Sequence, residues 1–489
     1  MPRSCARCAT RWPASRRATA VSSTPGAGSA ASTRSPTGFA RPSLRLAELA
    51  GRRVAILGAG REGLSAARLL CEELAHPDVT LLSEQEPTPD AARRLGVLPG
   101  LSLRVGADAL ADLSAFDVAI RSPGISFYRS ELASAREQGL AMTSLTDLFL
   151  AENEGRRVIA VTGTKGKSTT ASLIALALEA CGIKTVTAGN IGTPVFDADP
   201  EAEAEVVVLE VSSYQACDLR HGPEIAVITS LHPEHLDWHG GLERYYDDKL
   251  NLLRRARGPV LVNGGNPDAR ARTSQIARRR LFNDPSGVHV LGDRVREGSR
   301  EIGDLSTLPL GGAPGSSNLC AALAVASALD LPLTTAFGGF EKFRGLPHRQ
   351  QTIASRDGID YVDDSFSTIP HSTLHALRAF GDRPIAVIVG GRDRGVDLSP
   401  LVDALRAAKI RAVALVGETG PRLAALLPTD DARVNRCRSM DEAVAFCRRR
   451  LPKGGVVLLS PAAATGEDYA DAPARGAAFA RSAGVDREA

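Results

Sequence analysis

Nine residues, Val161-Thr162-Gly163-Thr164-Lys165-Gly166-Lys167-Ser168-Thr169, constrain this chain more than any other stretch. They end the apolar run 158–161 and lead into a helix predicted over about 168–181. Strand, glycine turn and helix in that order are the setting of a phosphate-binding loop. Backbone N–H groups cradle phosphates, Lys167 reaches the terminal ones, and the Ser168 hydroxyl can take Mg²⁺. The common pattern has a glycine five positions before the Gly-Lys pair, and here that position is Val161. The loop is therefore a shortened variant.

At 489 residues the chain exceeds a single core. Three α/β units are expected: 46–150, 151–345 and 346–489. The first opens with a strand at 52–57, a glycine turn, a helix to Leu74 and strands at 79–83 and 117–121. The second continues from the phosphate loop with strands at 206–211 and 226–229 and a late helix at 319–329. The third alternates strands at 385–389, 412–416 and 456–459 with helices near 399–408, 420–427 and 440–451. Doubly wound, Rossmann-like sheets are expected in the first and third units.

Lys and Arg number 59 against 56 Asp and Glu, yet eight arginines precede the first acid, Glu48. Without those eight, 51 basic residues face 56 acidic ones, so the body is mildly acidic and gives no reason to expect nucleic acid. Residues 1–45 are expected to be a disordered extension or the product of a start codon placed too early; a transit peptide has a similar composition. No apolar run approaches the roughly 20 residues of a membrane helix. The eight cysteines are scattered, and Cys5-x-x-Cys8 lacks a second pair to complete a zinc site. That pattern suits a reducing, cytoplasmic setting.

Gly58-x-Gly60-x-x-Gly63 after the first strand suits a pyrophosphate at a helix N-terminus. Ser83 and Ser122-Pro123-Gly124 end neighbouring strands and can line the same crevice. With Glu84 as the ribose-binding acid the turn also reads as a nicotinamide site, and a purely structural turn remains open. Glu210 closes an apolar strand, where a carboxylate can reach Mg²⁺, although a strand-end acid is also an ordinary solvated residue. His232, His235 and His239 invite a zinc reading, but their spacing is wrong for the helical metalloprotease motif. Lys249, fourteen residues after His235, passes alone for a surface lysine.

In combination these motifs are more specific. Gly163-Thr164-x-Gly166-Lys167-Ser168-Thr169, Gly189-Asn190-Ile191-Gly192, Glu210-x-Ser212-Ser213-x-Gln215 and His235-Leu236-Asp237-x-His239-Gly240 with Lys249 occur in order. Together they resemble the Mur ligases from about residue 46 to 485, most of all the branch that joins glutamate to UDP-N-acetylmuramoyl-L-alanine. The resemblance implies an ATP-dependent ligase forming C–N bonds through an acyl phosphate, with UDP rather than NAD on the glycine turn. It implies two Mg²⁺ sites drawing on Ser168, Glu210, His235 and Lys249, the last carbamylated by CO₂, with Lys167 as phosphate-binding cation and Asn190 orienting the acyl donor. It adds Asn318, Arg349 and Asp364 to the nucleotide site. A monomer with small-molecule substrates is expected.

The amino-acid pocket departs from the pattern. Asp364-Ser365-Phe366-Ser367-Thr368 stands where D-glutamate-adding enzymes carry Asp-Ser-Lys-Ala-Thr. The family's serine is Thr465 and its phenylalanine is Ala472, while only Asn318 survives of His-Asn-x-x-Asn. Asp363 to Pro370 looks like the L-glutamate-adding variant, whose product needs a separate epimerase, with Arg392 and Arg394 as replacement cations. The alternatives are the same ligase using D-glutamate, a folate polyglutamating or later-acting Mur ligase, and a P-loop regulator without ligase activity. A nicotinamide oxidoreductase would leave the phosphate loop idle.

Overall fold

The computed structural model describes residues 44–485, except 191, 199–202, 309–311, 344, 394, 429 and 467. They fall into two compact units: residues up to 289 with 321–333, and 290–320 with those from 334 onward. The fold is α/β, as expected.

The first unit holds two parallel sheets. One is built from β1 (Val54–Leu57), β2 (Val79–Ser83), β3 (Leu101–Val105), β4 (Val118–Arg121) and β5 (Ala141–Thr143), in the order β3-β2-β1-β4-β5. Winding reverses between β1 and β4, which opens a crevice beyond their carboxyl ends. β1 and β4 are buried on both faces, which explains their unbroken apolar runs. The helix after β1 is Arg61–Arg68, and one wider π-helical turn, Leu69–Glu73, carries it to Leu74.

The other sheet comprises β6 (Arg157–Thr162), β7 (Thr185–Gly189), β8 (Val206–Glu210), β9 (Ile225–Ile228), β10 (Val260–Asn263) and β11 (Arg279–Phe282). Their order is β11-β10-β9-β6-β8-β7, all parallel. The phosphate loop thus leaves β6 between the carboxyl ends of β8 and β9. That places Glu210 on one side of it and Thr229 on the other.

Beyond these strands, β12 (Val288–Leu291), β13 (Arg294–Glu297) and β14 (Arg300–Asp304) form a small three-stranded sheet, with β13 and β14 antiparallel. In the second unit, β15 (Gln351–Arg356), β16 (Ile359–Asp363), β17 (Ile385–Gly390), β18 (Ile410–Val416), β19 (Val434–Arg436) and β20 (Val456–Leu459) make the last sheet. It runs β15-β16-β20-β17-β18-β19, parallel except for the β15–β16 edge. The late helix of the sequence reading is longer than expected, Gly312–Ala328.

The expected extension and its Cys5 and Cys8 fall outside the described residues except for its last two. Leu44 is 1% exposed within the first core, and Arg45 pairs with Glu154 at 2.5 Å. These two residues belong to the folded body. Burying a leucine contributes about 1.5–3 kcal/mol. A chain beginning at Leu44 is therefore expected to unfold several degrees above one beginning at Leu46, as thermal denaturation would show.

Candidate active site

The phosphate loop is held open by specific bonds. Gly163 has φ +148°, and a Cβ there would lie 2.0 Å from Thr229 Oγ1. Thr164 N–H donates to Ser230 O at 2.8 Å, and Lys165 N–H donates to Ser230 Oγ at 2.9 Å. Thr164 Oγ1 donates to His232 O and meets Tyr245 OH at 2.8 Å. Gly166, at φ +85°, turns the chain into the helix Lys167–Ala180. Gly163→Ala is expected to collapse this loop and raise the KM for ATP more than about tenfold, because clash and backbone strain act together. Steady-state kinetics would read that rise.

Around the loop the structure gathers Lys167, Ser168, Asn190, Glu210 and Lys249. Ser168 Oγ donates to Glu210 Oε2 at 2.5 Å, and Asn190 Nδ2 donates to Glu210 Oε1 at 2.6 Å. The Glu210 carboxylate, 1% exposed, is thus aimed from both sides. Lys167 Nζ lies 3.0 Å from Gly163 O and 3.2 Å from Thr164 O. Lys249 comes from the helix Leu242–Arg255, is 2% exposed, and donates to Gly163 O at 3.1 Å. Its amine also stands 5.2 Å from the Tyr245 ring centre. Burial, and then the charge of Lys167, hold this amine well below the usual lysine range.

His235 stands in left-handed backbone, φ +56°, with its ring 5.0 Å from that of Tyr214. Burial is the main cause that lowers its pKa, and the Lys249 and Lys167 charges act the same way. Lys165 is tied to Glu234 at 2.6 Å, and Thr169 is half-buried in the helix. The other two histidines diverge. His232 Nε2 meets Asn266 at 3.3 Å, while His239 is held between Asp248 at 2.5 Å and Ser213 at 3.0 Å. Among the described residues no three His, Cys, Asp or Glu side chains could hold a metal, so the zinc reading finds no support.

The glycine turn sits at the β1–β4 crevice. Gly58 has φ +95°, and a Cβ on Gly63 would lie 1.9 Å from Gly58 O, so the turn closes only on glycine. Gly60 caps the helix, Ser122 Oγ reaches Gly58 O at 3.4 Å, and Pro123 and Gly124 follow in the same loop. Ser83 Oγ is turned onto Gln85 O at 2.6 Å. Both oxygens of Glu84 are taken by Arg129 at 2.7 Å, which argues against the ribose contact of a nicotinamide site.

The second unit has its own cluster. Asp364 is 3% exposed, accepts from Ser460 Oγ at 2.7 Å, and is pushed up to about 6 by burial. Ser365 Oγ donates to Ala472 O at 2.8 Å and accepts from the buried Arg475 Nε at 3.0 Å. Phe366 is 41% exposed, and the Arg349 guanidinium lies 5.1 Å from its ring centre. Thr465 is half-buried, Arg392 is exposed, and Asn318 lies on the helix Gly312–Ala328. Arg394 is outside the described residues.

Sequence reasoning missed the supports: Thr229, Ser230 and Tyr245 under the loop, and Glu62, Arg121, Asp218 and Tyr128 between the two sheets of the first unit. Only Glu62 carried a local signal, as the acid inside the glycine turn.

Comparison with known proteins gives the same outline. The Mur ligase middle domain matches residues 161–326, and the Mur ligase glutamate ligase domain matches residues 348–463. The UDP-N-acetylmuramoyl-L-alanine–L-glutamate ligase of Xanthomonas axonopodis pv. citri is 39% identical over 91% of this chain and 97% of its own. The protein of that name from a Micromonospora species is 38% identical over 86% and 94%. Among solved structures, the UDP-N-acetylmuramate–alanine ligase of Thermotoga maritima aligns with TM-score 0.57 at 18% identity, covering 88% of this chain and 98% of that one. The folylpolyglutamate synthase of Mycobacterium tuberculosis, complexed with ADP and AMPPCP, aligns at 0.54 and 16% over 70% and 95%. Both are likenesses of fold.

Proposed function

The chain belongs to the Mur ligase family, and from that premise we propose that it joins L-glutamate to UDP-N-acetylmuramoyl-L-alanine at the expense of ATP in peptidoglycan precursor synthesis. The observation that carries this reading is the Ser168–Glu210–Asn190 triangle beside the phosphate loop, with Lys167 and the buried Lys249 both donating to the loop carbonyl of Gly163. The names of the relatives support L-glutamate, and the D-glutamate alternative is not favoured.

Mur ligases use ATP and Mg²⁺, and the donor set fits both. Ser168 and Glu210 offer oxygens, and a Mg²⁺ site of few protein ligands is the kind completed by substrate phosphates. When bound, Mg²⁺ neutralises phosphate charge and favours attack at the γ-phosphorus. Ser168 and Glu210 would hold one ion; Glu210, His235 and the carbamate of Lys249 would hold a second. Burial favours the neutral form of the Lys249 amine, which suits that modification: its nitrogen bonds to the carbon of CO₂ and a proton leaves, turning a would-be ammonium into an anion.

The substrate's alanyl carboxylate attacks the γ-phosphorus, forming an acyl phosphate and releasing ADP. Lys167 offsets the anion–polyanion repulsion of that step, and Asn190 orients the carboxylate. The amino group of glutamate then attacks the acyl carbon, and phosphate leaves through a tetrahedral intermediate. In this reading residues 46–150 hold UDP on the Gly58–Gly63 turn with Ser83 and the Ser122–Gly124 loop. Residues 151–345 hold ATP, and 346–489 hold glutamate near Phe366, Arg394, Thr465 and Ala472, with Asn318, Arg349 and Asp364 serving the nucleotide. No helix among the described residues is long and apolar enough to cross a membrane. A monomer in the cytoplasm completes the reading, with an epimerase acting after it. Phosphate release that requires ATP, UDP-N-acetylmuramoyl-L-alanine and glutamate together tests it; release without the acyl donor would support a regulator instead.

A further inference from the structure

Two consecutive residues of the glycine turn reach the elements that aim the ATP-side groups. Arg61 Nη1 donates to Gly192 O at 2.7 Å. That carbonyl lies in the turn closed by Gly189 N–H to Thr193 O at 2.9 Å, which carries Asn190. Glu62 Oε1 accepts from Gln215 Nε2 at 2.6 Å. The Gln215 amide cannot turn away, because its Oε1 accepts from both Ser212 N–H at 2.9 Å and Ser212 Oγ at 3.0 Å. Ser212 in turn lies two residues past Glu210. Asn190 and Glu210 are bonded to each other, so both reaches of the turn end on one unit.

Glu62 is half-buried, and its Oε2 is closed off from solvent with no hydrogen-bond partner. Around it stand Arg61, Arg121 and Asp218, and burial raises its pKa to about 7. Glu62 is the second residue of the helix whose N-terminus faces the crevice. A diphosphate seated there would repel the carboxylate from the helix end, and the donor at hand is Gln215. The seam does not depend on Glu62 for its integrity. The buried pair Arg121–Asp218 at 2.9 Å, Arg121 Nη2 to Tyr214 O at 2.7 Å and Ser126 Oγ to Trp238 O at 2.8 Å also span it.

We propose that Glu62, assisted by Arg61, is a positioning residue that couples occupancy of the diphosphate site on the glycine turn to the alignment of Asn190 and Glu210 for ATP. This rests on the reading of the turn as the UDP site. Because coupling between two ligands is reciprocal, it is measurable without turnover.

The experiment measures Mg²⁺-dependent binding of β,γ-methylene ATP with and without saturating UDP, and UDP binding directly, in wild type, Glu62→Ala and Glu62→Gln. In wild type UDP is expected to tighten the ATP analogue about fivefold or more. Glu62→Ala should bring that factor close to one. Glu62→Gln, which still offers an oxygen to Gln215, should keep most of it. In turnover, Glu62→Ala should lower kcat and raise the KM for ATP while leaving the KM for glutamate unchanged. A merely structural role would reduce the active fraction and leave the coupling of the folded molecules intact. Wild-type coupling persisting in Glu62→Ala, or equal loss in both variants, overturns the proposal. If UDP binds but does not affect the ATP analogue in wild type, the coupling alone fails. If UDP does not bind, the reading of the turn fails with it.

Discussion

Lys249→Ala is expected to lower kcat on the order of 10²–10³-fold, the cost of removing a group that stabilises charge in a water-excluded site, and formate or acetate is expected to restore part of it. The lysine is 2% exposed and its amine lies 3.1 Å from Gly163 O, beneath the loop that would hold the phosphates. A charged ammonium there would add to Lys167 and repel Mg²⁺. Burial and Lys167 instead favour the neutral amine, which is the form that reacts with CO₂. The carbamate supplies the negative charge that an alanine lacks, and a small carboxylate entering the vacated space can replace it. Lys249→Met should be as inactive as alanine but respond less to formate, since its side chain fills the space. Phosphate release at rising formate, in enzyme depleted of bicarbonate, measures both effects. Full activity in unrescued Lys249→Ala would exclude the carbamate.

The parts of this site that read clearly in the sequence are those that chemistry confines to a few residue types in consecutive order. Gly163, Gly166, Lys167 and Ser168 announce themselves because phosphate binding at a helix N-terminus tolerates few substitutes. The buried parallel strands read equally well, since burial on both faces writes an apolar run. The small β12–β14 sheet did not. Its Arg294–Glu297 strand alternates charge with a single buried Val295, and a half-solvated strand of that kind has no strong period. The same holds for β15, whose exposed face hides it beside the buried β16.

Lys249 illustrates the other limit. Locally it sits in Asp247-Asp248-Lys249, which reads as a solvated helix face, yet the fold buries both Asp248 and Lys249. Asp248 is enclosed by His239 and by the Tyr128 hydroxyl from the turn that follows β4. The Tyr128 contact spans 120 positions, so spacing alone cannot reveal it. Glu62 and Gln215 are 153 positions apart and meet only because the two sheets of the first unit pack together.

The glutamate enantiomer should be decided by Phe366: kcat/KM for L-glutamate is expected to exceed that for D-glutamate by at least about tenfold, the lower end of what one charge-assisted hydrogen bond contributes. Both enantiomers carry the same groups, so a pocket distinguishes them only by where its cations and walls stand. At the position where the D-glutamate-adding pattern places a lysine, this chain presents a half-exposed aromatic ring. The loop bearing it is fixed from below, because Arg475 bonds Ser365 through its side chain at 3.0 Å and its backbone oxygen at 2.8 Å. The backbone of Phe366 is held as well, its N–H donating to His348 O at 3.2 Å. Beside the ring lies the guanidinium of Arg349, assigned above to the nucleotide, 5.1 Å from the ring centre. Its neighbours His348 and Gln350 both adopt left-handed backbone, at φ +60° and +48°, a conformation that fixes the direction from which Arg349 arrives. Without a lysine tip at this position, a glutamate carboxylate would take its positive charge from another direction, and among the described residues the exposed Arg392 is the replacement cation on offer. Ala472 in place of a phenylalanine leaves room for the altered pose. Phe366→Lys should return a cation to the position where the D-glutamate-adding pattern carries one and narrow the preference, with a larger loss for L-glutamate than for D-glutamate. Parallel kcat/KM measurements on both enantiomers, in wild type and Phe366→Lys, decide the matter; a clear wild-type preference for D-glutamate would mean that the pocket has drifted without changing its stereochemistry.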